Sequence, residues 1–329
     1  MFDLGVLAAA VAAQGRVARV VIAAVRGSSP REVGAAMLIW VDGQSGTIGG
    51  GALEWQATAT ARALLAQGGG RLDHAALGPA LGQCCGGTVS LLTEVYGAAE
   101  VAVLQGDVIA RPLPGTPVAQ TRSAGELAPM AMPMAVARAL SQARSKGCLP
   151  PAGVLQGWMV EPVAPSARPL WIWGAGHVGR ALVAVLAPLP GLALTWVDVA
   201  QSRFPAGIAA GVTALPAAEP PRLVAHAPRD AGHLIVTYSH ALDLELCHRL
   251  LGHGFARCGL IGSATKWARF RSRLGALGHA PGQIARIDCP IGDPSFGKHP
   301  QAIAIGVAAQ LLAAGRITAV GTTEQESAG

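Results

Sequence analysis

The chain is expected to be α/β, an N-terminal α+β domain followed by a C-terminal domain built on a parallel sheet. Three observations lead there. Its 329 residues are 51% hydrophobic, more than one compact core usually takes up. From Leu170 onward, short apolar runs at 170–173, 192–197, 233–237 and 258–261 alternate with helical stretches, the order of a parallel sheet with covering helices. Before that point lies a stretch rich in Pro, Gly and Met that separates two differently patterned halves. The expected division is a domain over 1–146, a linker over 147–168, a second domain over 169–315 and a flexible tail over 316–329.

The N-terminal half opens with an amphipathic helical pattern. A strand at 17–25, the turn Gly27-Ser28-Ser29-Pro30, a strand at 36–41 and the turn Asp42-Gly43 follow, which is hairpin chemistry. The loop Gly46-Thr47-Ile48-Gly49-Gly50-Gly51 then feeds residues 52–67, good helix formers ended by three glycines. Several backbone N–H groups and a positive helix end at Gly49, Gly50 and Gly51 suit a phosphate, while the Lys-Ser/Thr of a nucleotide-hydrolysing loop is absent. Arg26 and Arg31 flank the first turn, where either a clamp on phosphate or carboxylate or plain surface ion pairing fits.

Leu81-Gly82-Gln83-Cys84-Cys85-Gly86-Gly87 is the densest thiol site and leads into a strand at 88–95. Glycines on both sides let a ligand approach, and a soft thiolate suits a metal carrying sulfur ligands; a buried pair of small apolar side chains is the alternative. A short strand is expected at 101–108 and one helix at 134–145.

In the C-terminal half, Gly174-Ala175-Gly176-His177-Val178-Gly179 stands between the strand at 170–173 and a helix at 180–186. Gly174 permits the tight turn, Gly176 lets backbone approach a diphosphate, and Gly179 lets helix pack on strand. This makes the domain Rossmann-like. Asp198, at the end of the next strand, stands where an acidic group meets a ribose hydroxyl. His240 and Asp243 follow the strand at 233–237, at the carboxyl edge where ligands bind, or serve there as turn caps. Cys289-Pro290-Ile291-Gly292 and Gly297-Lys298-His299-Pro300 precede an apolar helix at 302–313, read either as a second loop-to-helix site or as a capped last helix. No constellation of catalytic residues stands out.

Composition excludes several classes. With 13% charged residues and 43 glycines the chain is neither disordered nor a coiled coil. The formal charge is +6, and only Lys146, Lys266 and Lys298 are lysines, so the basic groups are mostly planar guanidinia. No basic run interleaved with aromatics supports nucleic acid. Six cysteines without even spacing suggest free thiols in a reducing compartment. The first residues carry Asp3 and no basic n-region, and the longest apolar run, 181–196, contains Pro188 and Pro190; neither a signal peptide nor a spanning helix is expected, and the cytoplasm is.

Taken together and in order, these strings resemble the XdhC family of molybdenum cofactor chaperones, also called the XdhC/CoxI family. The resemblance rests on Arg26-Gly27-Ser28-Ser29-Pro30-Arg31, on Gly46 through Gly51 with Leu53-Glu54, on Gly82-Gln83-Cys84-Cys85-Gly86-Gly87, on the 174–179 loop, on Asp198 with Arg203-Phe204-Pro205, and on Cys289-Pro290-Ile291-Gly292. It departs at Ala200, where a basic residue is expected, and at 293–296, which looks longer than the family's loop. The resemblance implies a carrier and not an enzyme. Such a carrier binds the molybdenum cofactor, in its molybdopterin form, as cargo, presents it to a cysteine desulfurase for exchange of oxo for sulfido, and delivers it to apo-xanthine dehydrogenase. It also implies Cys85 first and Cys84 second as neighbours of molybdenum, a possible upstream cofactor-synthesis partner, a homodimer, and no functional NAD(P). An NAD(P)-dependent oxidoreductase using the Rossmann half is the alternative.

Overall fold

The computed structural model describes residues 1–78, 86–115 and 132–320, with side chains as far as 314. It divides into two compact units, Met1–Pro165 and Ser166–Gly329. No helix among the described residues is long and apolar enough to cross a membrane.

Unit 1 begins with α1 (Leu4–Gln14), whose first turn is capped by Asp3 accepting from the Val6 amide at 2.9 Å. Then come β1 (Val17–Arg26), β2 (Ala36–Ile39), β3 (Gln44–Gly46), α2 (Gly51–Gln67), β4 (Gly70–Ala76), β5 (Thr88–Tyr96), α3 (Ala98–Ala102), β6 (Val108–Pro112), α4 (Met134–Lys146), β7 (Gly153–Leu155) and β8 (Trp158–Pro162). One antiparallel sheet runs β3-β2-β1-β5-β4 and a smaller one β6-β8-β7. Strand β1 is central, and its alternating side chains serve both faces. Ala18, Val20 and Ile22 meet Leu53, Ala57 and Ala61 of α2, while Val21 and Ala23 meet Met159 of β8.

The β8-facing side of β1 also carries a buried ionic network. Arg19 donates twice to Glu161, at 2.7 and 3.0 Å, and Arg111 bridges Glu161 at 2.7 Å and Glu94 at 2.8 Å. The Arg19 guanidinium lies 4.3 Å from the Phe2 ring centre. Burial alone would raise the Glu161 carboxyl, but the two guanidinia hold it below the usual range.

Several expectations shift here. The strand at 101–108 is instead α3 followed by a turn, with strand starting only at Val108; Glu100 folds back to accept from the Gly97 amide at 2.9 Å and so starts a helix. Residues 147–168, expected as linker, hold β7 and β8, and every residue of β8 is buried. The last helix continues to Val320, five residues into the stretch expected as tail.

Unit 2 contains β9 (Arg168–Trp173), α5 (His177–Leu186), β10 (Leu192–Asp198), β11 (Val212–Pro216), β12 (Gly232–Ile235), α6 (His240–His253), β13 (Arg257–Leu260), α7 (Ala264–Ala276), the single turn α8 (Pro281–Ile284), β14 (Ile287–Asp288) and α9 (Pro300–Val320). All six strands are parallel in the order β11-β10-β9-β12-β13-β14, the doubly wound arrangement of a Rossmann domain. Helices α5 and α9 cover one face through Leu182, Leu186, Ala304 and Val307; α6 and α7 cover the other through Leu246, Leu250, Phe270 and Leu274. In the second core His233 stacks on Trp173, whose Nε1 donates to His233 Nδ1 at 3.1 Å. Burial pushes this imidazole down to about 3, so it is neutral at physiological pH.

Candidate functional site

In unit 1, three motifs that are distant in sequence meet. A Cβ on Gly49, at φ +124°, would stand 2.6 Å from Pro30 Cγ, and one on Gly87 would stand 2.1 Å from the Ser28 carbonyl oxygen. Ser28 also forms a bridge with Gly86. The turn at 27–31 is thus packed backbone against backbone on the Gly86-Gly87 pair, and its Pro30 ring lies against Gly49 of the loop at 46–51. Arg31 reaches the Thr47 carbonyl at 3.4 Å while paired with Glu32 at 3.1 Å, and Arg26 is exposed at the end of β1. Gln83, Cys84 and Cys85, the thiol centre of the sequence reading, lie outside the described residues.

The loop expected to cradle a phosphate meets an anion supplied by its own helix. Glu54, in the first turn of α2, accepts from the Gly50 amide at 3.0 Å, the Ile48 amide at 3.2 Å and the Thr47 hydroxyl at 2.6 Å. The Gly49 amide donates to the Thr47 hydroxyl at 3.1 Å. Burial opposes ionisation of Glu54, but these donors and Gln44 hold its carboxyl below the ordinary range.

In unit 2 the glycine fingerprint sits between β9 and α5, at the point where the strand order reverses. Two of its glycines are demanded by the protein itself. A Cβ on Gly174 would lie 2.6 Å from the Val236 carbonyl oxygen at the end of β12, and one on Gly179 would lie 1.9 Å from the Gly174 carbonyl oxygen. Gly176 differs: it has negative φ as the N-cap of α5, and a Cβ there would meet nothing within 4 Å. Asp198 is buried at the end of β10 and accepts from the Ala175 amide and from the Val199 amide at 2.6 Å, with Arg203 Nε 3.4 Å away. The carboxylate expected to meet a ribose hydroxyl therefore also braces the glycine loop. Arg180 secures the same loop by donating to the carbonyls of Ala175 at 3.1 Å and Arg203 at 2.8 Å.

Further along this carboxyl edge, three elements bring polar groups together. Buried Asp243 of α6 accepts from the Thr237 hydroxyl at 2.7 Å and from Lys266 Nζ at 2.6 Å; Lys266, on α7, also donates to the Ile261 carbonyl at 2.8 Å. Cys289, after β14, completes the group: a Cβ on Gly262 would lie 2.8 Å from Lys266 Cδ and 3.3 Å from the Cys289 sulfur. Burial pushes the Cys289 thiol up to about 11, with Lys266 opposing and Asp243 adding to the rise, so it stays protonated near neutrality. His240 caps no turn here; Ser239 caps α6, and the His240 ring meets the edge of Phe270. Among the described residues, no three His, Cys, Asp or Glu side chains are grouped so as to hold a metal.

A family model described as the XdhC and CoxI family matches residues 10–75, and one described as the XdhC Rossmann domain matches 170–311, together more than half of the chain. The chain belongs to the XdhC family. No curated protein matches it. Among solved structures, a protein from Bacillus halodurans described as a xanthine dehydrogenase is 22% identical, spans 100% of this chain and 98% of its own, and superposes with a TM-score of 0.66. At that identity it shows the shared fold of the XdhC-family chain. A short-chain dehydrogenase/reductase from Veillonella parvula in complex with NADP (16% identical, 41% of this chain and 61% of its own, TM-score 0.26) and a myo-inositol dehydrogenase from Corynebacterium glutamicum (19%, 40% and 38%, TM-score 0.30) are too distant to add to it.

Sequence reading of this XdhC-family chain missed Lys266 as a partner of Asp243 and missed Glu54 as the loop's own anion. The second carried a local signal, an acidic residue in the first turn of a helix that begins at glycine. Lys266 carried none, since Asp243, Lys266 and Cys289 meet only through the sheet.

Proposed function

We propose that this protein is a carrier of the molybdenum cofactor that serves the maturation of a xanthine dehydrogenase-type hydroxylase. Membership of the XdhC family supports a role in xanthine dehydrogenase maturation. On this reading the carrier holds the cofactor in its molybdopterin form, offers it to a cysteine desulfurase for replacement of an oxo by a sulfido ligand, and passes it to the apo-enzyme, acting as an accessory protein without turnover of its own.

The observation that carries the binding reading is Gly176. Of the three fingerprint glycines it alone is not required by the protein's own packing, which leaves its backbone open to a group from outside the chain. The start of α5 supplies amides and a positive helix end, so the approaching group is anionic, as the pterin's phosphate is. For the molybdenum end, Cys85 and then Cys84 are the proposed thiol neighbours. Cys289 is less suited to that role, because its environment favours the protonated thiol.

The test is anaerobic titration of the purified protein with freshly released molybdenum cofactor, followed by gel filtration and assay of transfer to apo-xanthine dehydrogenase. Stoichiometric co-elution and productive transfer are expected, with Gly176→Val lowering retention and Cys85→Ala lowering both retention and loading. Failure of the wild-type chain to retain the cofactor would overturn the carrier reading. The doubly wound strand order also fits an NAD(P)-dependent oxidoreductase, which would show itself as hydride exchange with a substrate.

A further inference from the structure

Between Glu245 and Asp288 the chain carries seven Lys or Arg residues and no Asp or Glu. Four of the seven are matched inside unit 2. Arg249 pairs with Glu245 at 2.6 Å, Arg257 with Asp288 at 3.3 Å and Lys266 with Asp243 at 2.6 Å, while Arg286 donates to the Phe255 carbonyl at 2.6 Å. The other three, Arg269, Arg271 and Arg273, stand exposed on α7, and among the described residues no carboxylate pairs with them. Nor is one at hand. Helices α6 and α8 pack against α7, but both carboxylates of α6, Asp243 and Glu245, are already taken and α8 has none. Arg269 and Arg273 also stand one turn apart on one flank, a like-charge spacing that destabilises a helix when nothing relieves it.

The shape of α7 fits a particular visitor. Phe270 and Leu274 are buried, and on the opposite side Thr265, Ala268, Ser272 and Ala276 form an exposed ridge of small side chains. Arg269 and Arg273 border the ridge on one flank and Arg271 on the other. A ridge of small residues lets a second helix approach to the short end of ordinary interaxial spacing, about 8 Å. Planar guanidinia on both flanks then meet carboxylates on the visitor in bidentate geometry. The face suits nucleic acid poorly, because Trp267 is half-buried and Phe270 buried, so the ridge offers no ring for a base to stack on. It has no large apolar side chain to enter a bilayer either.

We propose that α7 is the docking face for an acidic helix of a protein partner, which lies along the ridge with carboxylates on both of its flanks. The owner of that helix is the xanthine dehydrogenase-type enzyme being matured, an assignment that rests on the carrier reading.

Interferometry of the full chain against immobilised apo-xanthine dehydrogenase, at low and at physiological salt, tests it. Wild type is expected to bind, and more weakly as salt rises. Arg269→Glu with Arg273→Glu should weaken binding by about tenfold or more and flatten the salt dependence. Arg138→Glu with Arg144→Glu, at exposed positions on α4 and with the same change in net charge, should do neither. Ala268→Trp keeps the charge but raises the ridge, and should weaken binding to a similar degree. Cofactor retention should be unchanged in all of these variants. Equal affinity of wild type and the α7 variants, or an equal loss in the α4 control, would overturn the docking face; cofactor retention in that case leaves the carrier reading standing. Should the wild-type chain not bind the enzyme, a helix-forming peptide with glutamates one turn apart on both flanks decides the matter. Peptide binding that the double α7 reversal abolishes keeps the acidic helix and removes only the enzyme as its owner. No peptide binding at millimolar concentration, or tighter binding of an RNA or DNA duplex than of the peptide, overturns the proposal.

Discussion

The two glycine loops look alike in sequence and do opposite things. Gly46 through Gly51 and Gly174 through Gly179 each join strand to helix, yet the first is filled by Glu54 from its own helix while the second is braced by Asp198 from a neighbouring strand and leaves Gly176 uncrowded. An acidic residue in the first turn closes a helix start from within; one on the adjacent strand braces the loop from the side and leaves its tip accessible.

The largest effect expected from breaking that contrast is at Gly179. Gly179→Ala pushes a methyl into the Gly174 carbonyl and should destabilise unit 2 by about 4 kcal/mol or more, read as loss of its transition in calorimetry. The next separates the units by acid. His233 has a folded-state value near 3 against an ordinary 6.5, so the unfolded state binds the extra proton; its stabilisation is complete above pH 6.5 and lost as pH falls toward 3. Glu161 and Glu54 are also depressed, so unit 1 keeps their contribution until pH drops below the ordinary carboxylate value of 4.5. Unit 2 should therefore soften first, by on the order of 3 kcal/mol across that window, and His233→Gln should flatten its profile between pH 6.5 and 4.5 in denaturant melts.

Smaller still, Glu54→Ala should cost unit 1 about 2 kcal/mol through the unpaired loop donors, and should shift its denaturant midpoint without changing the slope. Gly50→Ala, at φ +75° in open space, should cost about 1 kcal/mol by backbone strain alone. The smallest stability effect, within about 0.5 kcal/mol, belongs to Gly176→Val, and that variant sharpens the comparison because it should reduce anion binding at least tenfold while its melting temperature barely moves.

Much of the fold was legible where apolar periodicity and glycine punctuation coincide. The helices Gly51–Gln67 and His177–Leu186 and the inner strands of the parallel sheet stand close to where the pattern puts them. Strand β4 escaped because it lies at a sheet edge and carries Arg71, Asp73 and His74, so its sequence has no apolar alternation. Strand β8 escaped for the opposite reason: it is buried throughout but includes Glu161 and ends at a proline, and a charge paired 142 positions away reads locally as surface. The fingerprint glycines were legible because a local turn demands two of them. The Asp243–Lys266–Cys289 group was not, because its members come from separate elements and are neighbours only across strand ends.

The Arg19–Glu161 pair has a bearing on the order in which the chain is made. At about 5–20 residues per second, Arg19 leaves the ribosome on the order of ten seconds before its carboxylate does. In that interval β1 has its apolar partners from α2 and β5, but the Arg19 guanidinium lacks the buried carboxylate that it pairs with twice in the finished unit, which weakens closure of the sheet. The first unit is therefore completed by its own last strand, and a chain that ends before residue 161 should leave the Arg19 and Arg111 guanidinia without their shared carboxylate.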